Sequence, residues 1–354
     1  MAERKRKRRS AKSKTSSGIQ KNSNLIPSGN TNFNCALTDN PFGGYRKGTI
    51  VNLIGDSSAG KSILAHTCFA AANAAGFDDY RFIFDDAECG ADFDTEKLFG
   101  ESTAKRIEPP SKDAEGSETI EDFQLYIHKA IQGDRPFIYV LDSFDGLDCE
   151  ADRKKAEAQM KKREKGEDEG AGSYGQAKNQ ELNKVLRRIR FHLKRTNSIL
   201  IIVSQVRDNF EGFSKVRRTG GKALKHYSWQ EVWLKLGKKI KSKDLKIGVN
   251  SIADITKNRE TGKERQALFS IYYDLGIDDV GSCVDALVDF GYWQKPKSGT
   301  KIKANDFDLD ATRDKIIKHI EQNNEEEKLQ ELVGKAWLER EESLKLKNRK
   351  KRFD

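Results

Sequence analysis

One stretch of eight residues constrains the fold of this chain more than any other, because its two glycines, lysine and serine fit the spacing GxxxxGK(S/T). The stretch comprises Gly55, Asp56, Ser57, Ser58, Ala59, Gly60, Lys61 and Ser62. In a loop of this kind the glycines let backbone N–H groups point inward, the lysine neutralises phosphates, and the hydroxyl completes a Mg²⁺ shell. The sequence therefore predicts a site for a nucleoside triphosphate with Mg²⁺.

The residues on either side of this stretch provide the required setting. Residues 49–54 predict a buried strand, and the alanine-rich residues 62–75, closed by Gly76, predict a helix. This order places free N–H groups and the positive end of the helix dipole at the phosphates. The alternative is a glycine loop that fits the pattern by coincidence, and the flanking strand and helix argue against it.

The net charge of +10 over 354 residues is concentrated at the two ends of the chain. Residues 1–21 carry nine Lys and Arg against one acid, and residues 345–354 carry six against one, so the remainder is close to neutral. Basic arms of this kind contact nucleic acid, keep a protein soluble or, as the run 4–9 allows, act as a nuclear import signal. The first 24 residues have almost no large apolar side chains, which predicts a disordered arm.

The five cysteines are scattered and form no CxxC or Cys/His cluster, which favours a reducing compartment and argues against a structural zinc. No uninterrupted apolar run is longer than that of Ile199 to Val203, which is far too short to span a bilayer. We therefore expect a soluble protein without membrane contact. Its expected location is the cytoplasm of a bacterium or of a phage-infected host, with a nuclear location left open.

Two acidic residues follow predicted strands, where open α/β sheets bind their ligands. Residues 81–84 form a short apolar strand that leads to Glu88, a candidate to polarise the water that attacks the γ-phosphate. A helix cap or a solvated loop is the alternative for Glu88. Residues 137–141 form a continuous apolar strand that ends at Asp142, whose carboxylate would hold Mg²⁺ with Ser62. The alternative for Asp142 is a strand-terminal cap of the next turn.

The order of predicted elements indicates an α/β fold with a mainly parallel twisted sheet flanked by helices. A helix at 181–195 and a strand at 198–204 continue the alternation. Three apolar segments then predict further strands, at 232–236, 252–255 and 267–273, and we expect this last part of the sheet to be antiparallel. Helical patterns fill the last part. The expected organisation is a disordered basic arm (1–24), an ATPase core (25–275), a small C-terminal α+β domain (276–342) and a basic tail (343–354).

Two further segments have unusual compositions, and the second of them is a candidate for contact with DNA. Residues 151–171 are highly charged and lead into a glycine-rich run, which indicates either a long mobile loop or a solvated helix that frays. Residues 206–218 mix basic and aromatic side chains, a pattern that suits a single strand, since cations follow phosphates and rings meet bases. A surface hairpin would look similar. The candidate DNA-binding residues are Arg207, Phe210, Phe213, Lys215, Arg217 and Arg218.

Together these elements resemble the RecA family of DNA recombinases from about Ile26 to Trp337, with the landmarks in the family's order. The matching elements are Gly43-Gly44 with Gly48 before the first strand, Asp86-Ala87-Glu88, Asp142-Ser143, Gln205 at a strand end, Thr219 to Lys225, and Lys257-Asn258-Arg259. Thr95 departs from the pattern, because the family has an aromatic side chain over the adenine there.

The resemblance implies a RecA-like P-loop ATPase core that binds ATP and Mg²⁺ and hydrolyses ATP in a DNA-dependent way. It assigns phosphate and Mg²⁺ contacts to Lys61 and Ser62, the catalytic carboxylate to Glu88, and the Mg²⁺-linked carboxylate to Asp142. It further implies that Gln205 senses the γ-phosphate and that Asp92 contacts the adenine. Lys257 and Arg259 would reach the nucleotide of a neighbouring subunit.

The leading hypothesis is an ATP-dependent homologous DNA recombinase that forms helical filaments on single-stranded DNA and pairs it with double-stranded DNA. A head-to-tail interface that does not close produces such a filament. One alternative is a ring-forming motor of the same core, such as a helicase. The other is a non-catalytic recombination accessory or annealing protein that keeps the nucleotide site as a switch.

Overall fold

The structure is a computed structural model of the chain, and it describes residues 19–90, 93–165, 176–208, 216–218, 221–296 and 299–346. Several expectations fall outside these described residues. They concern most of the disordered arm (1–18), the candidate adenine contact Asp92, the glycine-rich run up to 175, most of the basic tail, and Phe210, Phe213 and Lys215 of the DNA-binding segment.

Fourteen strands and eleven α-helices are found among the described residues. The strands are β1 (Leu25–Ile26), β2 (Tyr45–Arg46), β3 (Ile50–Gly55), β4 (Arg81–Asp86), β5 (Ile107–Glu108), β6 (Phe137–Asp142), β7 (Ile199–Asp208), β8 (Val216–Arg218), β9 (Gln230–Ser242), β10 (Leu245–Asn258), β11 (Gln266–Tyr272), β12 (Gly276–Asp278), β13 (Lys301–Ala304) and β14 (Leu309–Thr312). The helices are α1 (Thr31–Thr38), α2 (Lys61–Ala74), α3 (Thr95–Phe99), α4 (Glu101–Ala104), α5 (Ile120–Gln132), α6 (Glu150–Glu164), α7 (Gln176–Thr196), α8 (Gly221–Tyr227), α9 (Asp279–Asp289), α10 (Arg313–Gln322) and α11 (Glu326–Ser343).

The central sheet has the strand order β12-β11-β10-β9-β3-β7-β6-β4-β5, and β8 pairs with β7 outside this path. The strands from β9 through β3, β7, β6 and β4 to β5 are mutually parallel, whereas β9 to β12 form an antiparallel flank. The predicted α/β fold with a mainly parallel sheet is confirmed. Its strand β3, which precedes the glycine loop, lies between β9 and β7 in the middle.

Alternating side chains of the parallel strands supply two hydrophobic cores, one on each face of the sheet. Along β6, Ile138 and Val140 belong to one core, and Phe137, Tyr139 and Leu141 belong to the other. The first core also receives α1, α2 and the C-terminal helices, and the second receives α5 and α7. Helices therefore cover both faces and leave the carboxyl ends of the strands at one edge of the sheet.

The helices follow local signals in the sequence. α5 begins with a capping box, in which Thr119 and Asp122 satisfy each other's backbone N–H groups. Of the two alternatives for the charged stretch 151–171, the described part is helical, because α6 extends to Glu164. No helix in the described ranges is both long and apolar enough to cross a membrane.

The antiparallel flank is longer than the apolar segments predict. β9 and β10 form a hairpin that continues well past the predicted strands at 232–236 and 252–255, to a turn at Lys243 and Asp244. Both turn residues have positive φ, 46° and 65°, as tight hairpin turns require. The sequence did not predict the outer part of this hairpin, because that part is rich in lysine and strand prediction depends on apolar alternation.

The C-terminal helices share a core with the sheet, since Cys283, Ile320 and Trp337 belong to the same cluster as Val51. The predicted division of the chain at residue 276 stays a prediction. An ion-pair network also joins α11 to the sheet: Glu341 accepts hydrogen bonds from Arg265 at 2.7 and 2.9 Å and contacts Lys263 at 2.8 Å.

Replacing Glu341 with glutamine is expected to lower the free energy of unfolding at neutral pH by about 1–3 kcal/mol, because a buried charge network loses its acid. The Arg265 guanidinium and the Lys263 ammonium hold the pKa of Glu341 at about 2, below its ordinary 4.5. The stabilisation is therefore complete above pH 4.5 and is lost as pH falls through about 2. Urea unfolding of both proteins at neutral and acid pH measures this difference.

The control is Glu342→Gln, which removes a neighbouring carboxylate that pairs with Lys345 on the surface. It should change stability little. An equal loss in both variants would contradict a special role for Glu341.

Candidate active site

The glycine-rich loop leaves the central strand β3 at Gly55 and enters α2 at Lys61. Gly60 has φ of +90°, and a Cβ built on it would lie 2.3 Å from the Ile271 side chain of β11. The hydroxyl of Ser251 on β10 donates to the carbonyl of Ala59 over 2.8 Å. The antiparallel flank thus supports the loop from behind and requires glycine at its last turn.

Lys61 is held inside this loop. Its ammonium donates to the carbonyl of Gly55 over 2.9 Å and to that of Asp56 over 2.8 Å, and the residue is only 8% exposed. Burial lowers the pKa of Lys61, and the nearby carboxylates of Asp142 and Glu88 oppose this shift. The loop therefore presents a partly desolvated cation, which suits the binding of phosphates.

Asp142 lies at the carboxyl end of β6 and forms a side-chain hydrogen bond with Ser62 at the start of α2. Burial raises the pKa of Asp142 to about 6, and the Ser62 hydroxyl acts in the opposite direction. A carboxylate and a hydroxyl are the hard oxygen ligands that Mg²⁺ accepts beside water and phosphate. The described residues contain no cluster of three or more His, Cys, Asp or Glu that could hold a metal alone.

Glu88 follows β4 and makes contact with the ends of two other strands. Its carboxylate accepts hydrogen bonds from the Ser143 hydroxyl after β6 and, over 2.8 Å, from the Gln205 side-chain amide on β7. The backbone N–H of Gln205 donates to Asp145 over 2.7 Å. The side chains of Glu88 and Gln205, 117 residues apart in the chain, are therefore in direct contact beside the glycine loop.

The segment around Glu88 is fixed by close packing. A Cβ on Gly146 would lie 2.4 Å from the carbonyl oxygen of Ala87, so this position allows no side chain. The N–H of Glu88 donates to the carbonyl of Asp142 over 3.3 Å. A rigid backbone here keeps the carboxylate near the end of β6.

His66, one turn after Ser62 on α2, lies in an aromatic cluster. Its ring is buried and contacts the rings of Phe84, Phe93 and Phe99 at centroid distances of 4.2 to 5.7 Å. Burial lowers the pKa of His66 to about 4, so the ring is neutral at neutral pH. The cluster packs the start of α2 against the segment that follows Glu88.

Lys257 and Arg259 are not brought to the glycine loop of their own chain. Lys257 pairs with Glu231, which lies beside Asn52, whereas the loop begins at Gly55. Because β10 runs against β3, Lys257 lies about 10 Å before the loop along the strand direction, and Arg259 lies farther still. The sequence could not reveal this separation.

The DNA-binding candidates are only partly described. Val206 to Asp208 continue β7 and pair with Val216 to Arg218 of β8, with Arg207 opposite Arg217. The predicted loop thus has a short antiparallel hairpin at its base, which was the alternative interpretation of this segment. The pairing of β7 with β8 begins at Val206, the residue directly after Gln205.

Two residues of the site were not among the candidates. Ser143 and Asp145 orient Glu88 and Gln205, and both follow Asp142 within three positions. The signal was available, because polar residues directly after a buried parallel strand lie at the ligand-binding edge. Their individual partners depend on the pairing of β6 with β4 and β7, which no local pattern gives.

A phosphate loop after the central strand of a mainly parallel sheet, with acidic residues after two further strands, defines a P-loop ATPase. Comparison with known proteins agrees. The family model of the RecA N-terminal domain matches residues 9–278. The chain therefore belongs to the RecA family, and it is an ATP-dependent DNA recombinase with DNA-dependent ATPase activity.

Individual relatives are similar at a modest level over most of their length. The RecA protein of Malacoplasma penetrans is 25% identical over 294 residues, which cover 82% of this chain and 82% of the relative. The RecA protein of Fusobacterium nucleatum is 27% identical over 325 residues, 89% of this chain and 78% of the relative. The RecA protein of Clostridioides difficile is 28% identical over 285 residues, which cover 80% of this chain and 75% of the relative.

Proposed function

We propose that this recombinase assembles head-to-tail on single-stranded DNA and holds ATP with Mg²⁺ between neighbouring protomers. The glycine loop and Lys61 bind the phosphates, and Ser62 with Asp142 holds the cation. Lys257 and Arg259 of the next protomer reach the same nucleotide. Their distance from the loop of their own chain supports this assignment, because a head-to-tail interface joins two different surfaces of the protomer.

Catalysis in this proposal is mostly positioning and charge neutralisation, as phosphoryl transfer requires. Glu88 accepts a proton from the attacking water or orients it, and Ser143 and Gln205 orient the carboxylate. Mg²⁺, when bound, supplies charge neutralisation at the phosphates. Lys61 supplies a cation in a partly desolvated loop, where its charge is weakly screened.

One observation carries the proposal: the elements on both sides of the DNA-binding segment 206–218 contact residues that are proposed to bind the nucleotide. At its beginning Gln205 donates to Glu88 over 2.8 Å. At its end helix α8 presents the carbonyl of His226, which accepts from Lys257 over 3.2 Å and from Arg259 over 2.9 Å. A nucleotide contact at Gln205, or at Lys257 and Arg259, would therefore act on the elements that flank the DNA-binding segment, which couples ATP binding to DNA binding.

The cations at the assembly interface can be tested by Lys257→Ala together with Arg259→Ala. We expect the double variant to bind ATP as a dilute protomer, to form no filaments, and to lose DNA-stimulated hydrolysis by about 100-fold, since two charge-assisted contacts are removed. Electron microscopy with single-stranded DNA and a non-hydrolysable ATP analogue, together with ATPase assays, measures both effects.

The matched control is Lys315→Ala with Lys318→Ala, which removes two exposed lysines of α10. Normal filaments and hydrolysis in the Lys257 and Arg259 variant would contradict the interface assignment. The same microscopy tests the wild-type protein, because closed rings or the absence of any assembly would contradict the proposed head-to-tail filament.

A further inference from the structure

Strand β11 is paired on both sides along only part of its length. On one side β10 pairs with the whole strand, whereas on the other side β12 pairs only with Ser270, Ile271 and Tyr272. Residues 266–269, here called the open edge, therefore have a partner strand on one side only in the described part of the chain. Edge strands are commonly protected by charged residues or proline, and these four residues include neither.

The open edge turns backbone hydrogen-bonding groups away from the sheet. Hydrogen bonds alternate along an antiparallel pair, and the N–H of Ile255 on β10 donates to the carbonyl of Arg265 over 2.9 Å. The residues that follow at even numbers, Gln266 and Leu268, consequently direct their N–H and C=O groups outward. The carbonyl of Leu268 accepts from the Asn32 side chain over 3.3 Å. The other three groups have no hydrogen-bond partner among the described residues.

A cavity of about 750 Å³ borders the open edge. Its opposite walls come from α9, with Ala286 and Asp289, and from α11, with Trp337 and Arg340. The volume lies within the range of roughly 300–1,000 Å³ that is typical of ligand-binding pockets. A chain segment laid along the open edge would therefore be enclosed by the two helices.

The two faces of the sheet offer different chemistry at the open edge. Ala267 and Phe269 belong to the core that also contains Trp337 of α11, so Leu268 points to the opposite face, where it is 51% exposed. Arg340, on the α11 side, is exposed and lies over the Trp337 ring at 5.8 Å. No carboxylate of the described residues lies at ion-pair distance from Arg340. One face thus offers an apolar contact, and the other offers a cation.

We propose that the open edge binds an extended peptide segment of a partner protein, which adds to β11 as a further strand and alternates apolar with acidic side chains. The outward groups of Gln266 and Leu268 supply the backbone hydrogen bonds, as in other cases of strand addition. Because side chains alternate across a strand, the apolar residues of the segment face Leu268 and its acidic residues face Arg340. This binding uses none of the residues assigned to the nucleotide.

The charges of the cavity favour a peptide over nucleic acid. The guanidinium groups of Arg265 and Arg313 already contact carboxylates, at 2.7 and 2.8 Å. Two acids in the same wall oppose a polyanion with one charge per about 1.7 Å, whereas an excess of two cations suits a few spaced carboxylates. The charged lining residues are Arg265, Lys295, Arg313 and Arg340, with Asp285 and Asp289.

The probe for this site is a fluorescein-labelled peptide in which aspartates alternate with valines. Fluorescence anisotropy of the peptide, titrated with the full-length protein, should show saturable binding. A peptide with proline in place of valine lacks the N–H groups that a strand needs, and one with lysine in place of aspartate repels Arg340. Both control peptides should bind at least about 10-fold more weakly.

Two variants of the protein test the two contacts separately. Leu268→Pro removes the outward N–H and keeps the hydrogen bonds to β10, as a position at a sheet edge allows. Arg340→Gln removes the charge and keeps most of the side chain over Trp337. Each should weaken binding of the aspartate peptide by about 5- to 10-fold. Lys318→Gln, which changes an exposed lysine of α10, is the control and should bind as the wild type does.

Wild-type affinity in both variants would overturn the proposal, and so would equal binding of the proline peptide. Competition by duplex DNA for the peptide would assign the cavity to nucleic acid instead, and self-association that Leu268→Pro abolishes would assign the edge to a second copy of the chain. Thermal unfolding checks that the variants fold. DNA-stimulated ATP hydrolysis should be unchanged in both, so a failure of the proposed nucleotide interface is detected independently.

Discussion

Replacing Lys61 with alanine is expected to abolish ATP binding at ordinary nucleotide concentrations. The residue is only 8% exposed, and its ammonium lies between the carbonyls of Gly55 and Asp56, in the loop that is to receive the phosphates. Removing one member of a desolvated charge pair costs about 2–5 kcal/mol, so the dissociation constant should rise by about 30-fold to a few thousand-fold. Calorimetric titration with ATP and Mg²⁺ measures the change.

Folding and binding must be separated in this experiment. Burial lowers the pKa of Lys61, so the folded chain gains little from the charge and the variant should unfold at a similar urea concentration. Lys97→Ala, which removes an exposed lysine of α3, serves as the control and should bind ATP normally. An ATP affinity unchanged from the wild type would refute the role of Lys61.

Replacing Glu88 with glutamine is expected to stop ATP turnover and leave ATP binding intact. Glutamine keeps the shape of the side chain and still accepts hydrogen bonds from Gln205 and Ser143, but it cannot take a proton from water. Loss of a general base typically slows the chemical step by 10²- to 10⁴-fold, and we expect a reduction of about 10³-fold. Steady-state phosphate release in the presence of single-stranded DNA measures turnover, and titration measures binding.

The matched control for Glu88 is Glu96→Gln, which changes an exposed acid of α3 in the same way. It should hydrolyse ATP at the wild-type rate. Because the Glu88 variant is expected to retain the nucleotide, filaments on DNA should form and persist. Full turnover by the Glu88 variant would show that another group activates the water.

The sequence predicted the elements whose signals are local. The strand before Gly55, the helix after Lys61 and the strand that ends at Asp142 were placed to within one or two residues. Each combines an apolar run with a glycine or an acid at its end, and these patterns need no distant partner. The mainly parallel sheet also followed, because strands and helices alternate in the first part of the chain.

The sequence underestimated elements whose stability comes from pairing with other strands. The β9–β10 hairpin extends to Lys243 because its two strands bond to each other, although few of its outer residues are apolar. In the same way β7 continues past Gln205 to Asp208 because β8 pairs with it. Propensity is a weak guide where a neighbouring strand satisfies the backbone.

By itself the sequence determined that this chain has a phosphate loop between a buried strand and a helix, followed by acids at later strand ends, since those features depend on neighbours in the chain. Only the tertiary structure decided that Gln205 contacts Glu88, that Lys257 and Arg259 lie away from their own loop, and that the β9–β10 hairpin extends beyond β3. The physical reason is that strand order and register arise from contacts between distant residues, and a one-residue change of register would turn every side chain to the other face.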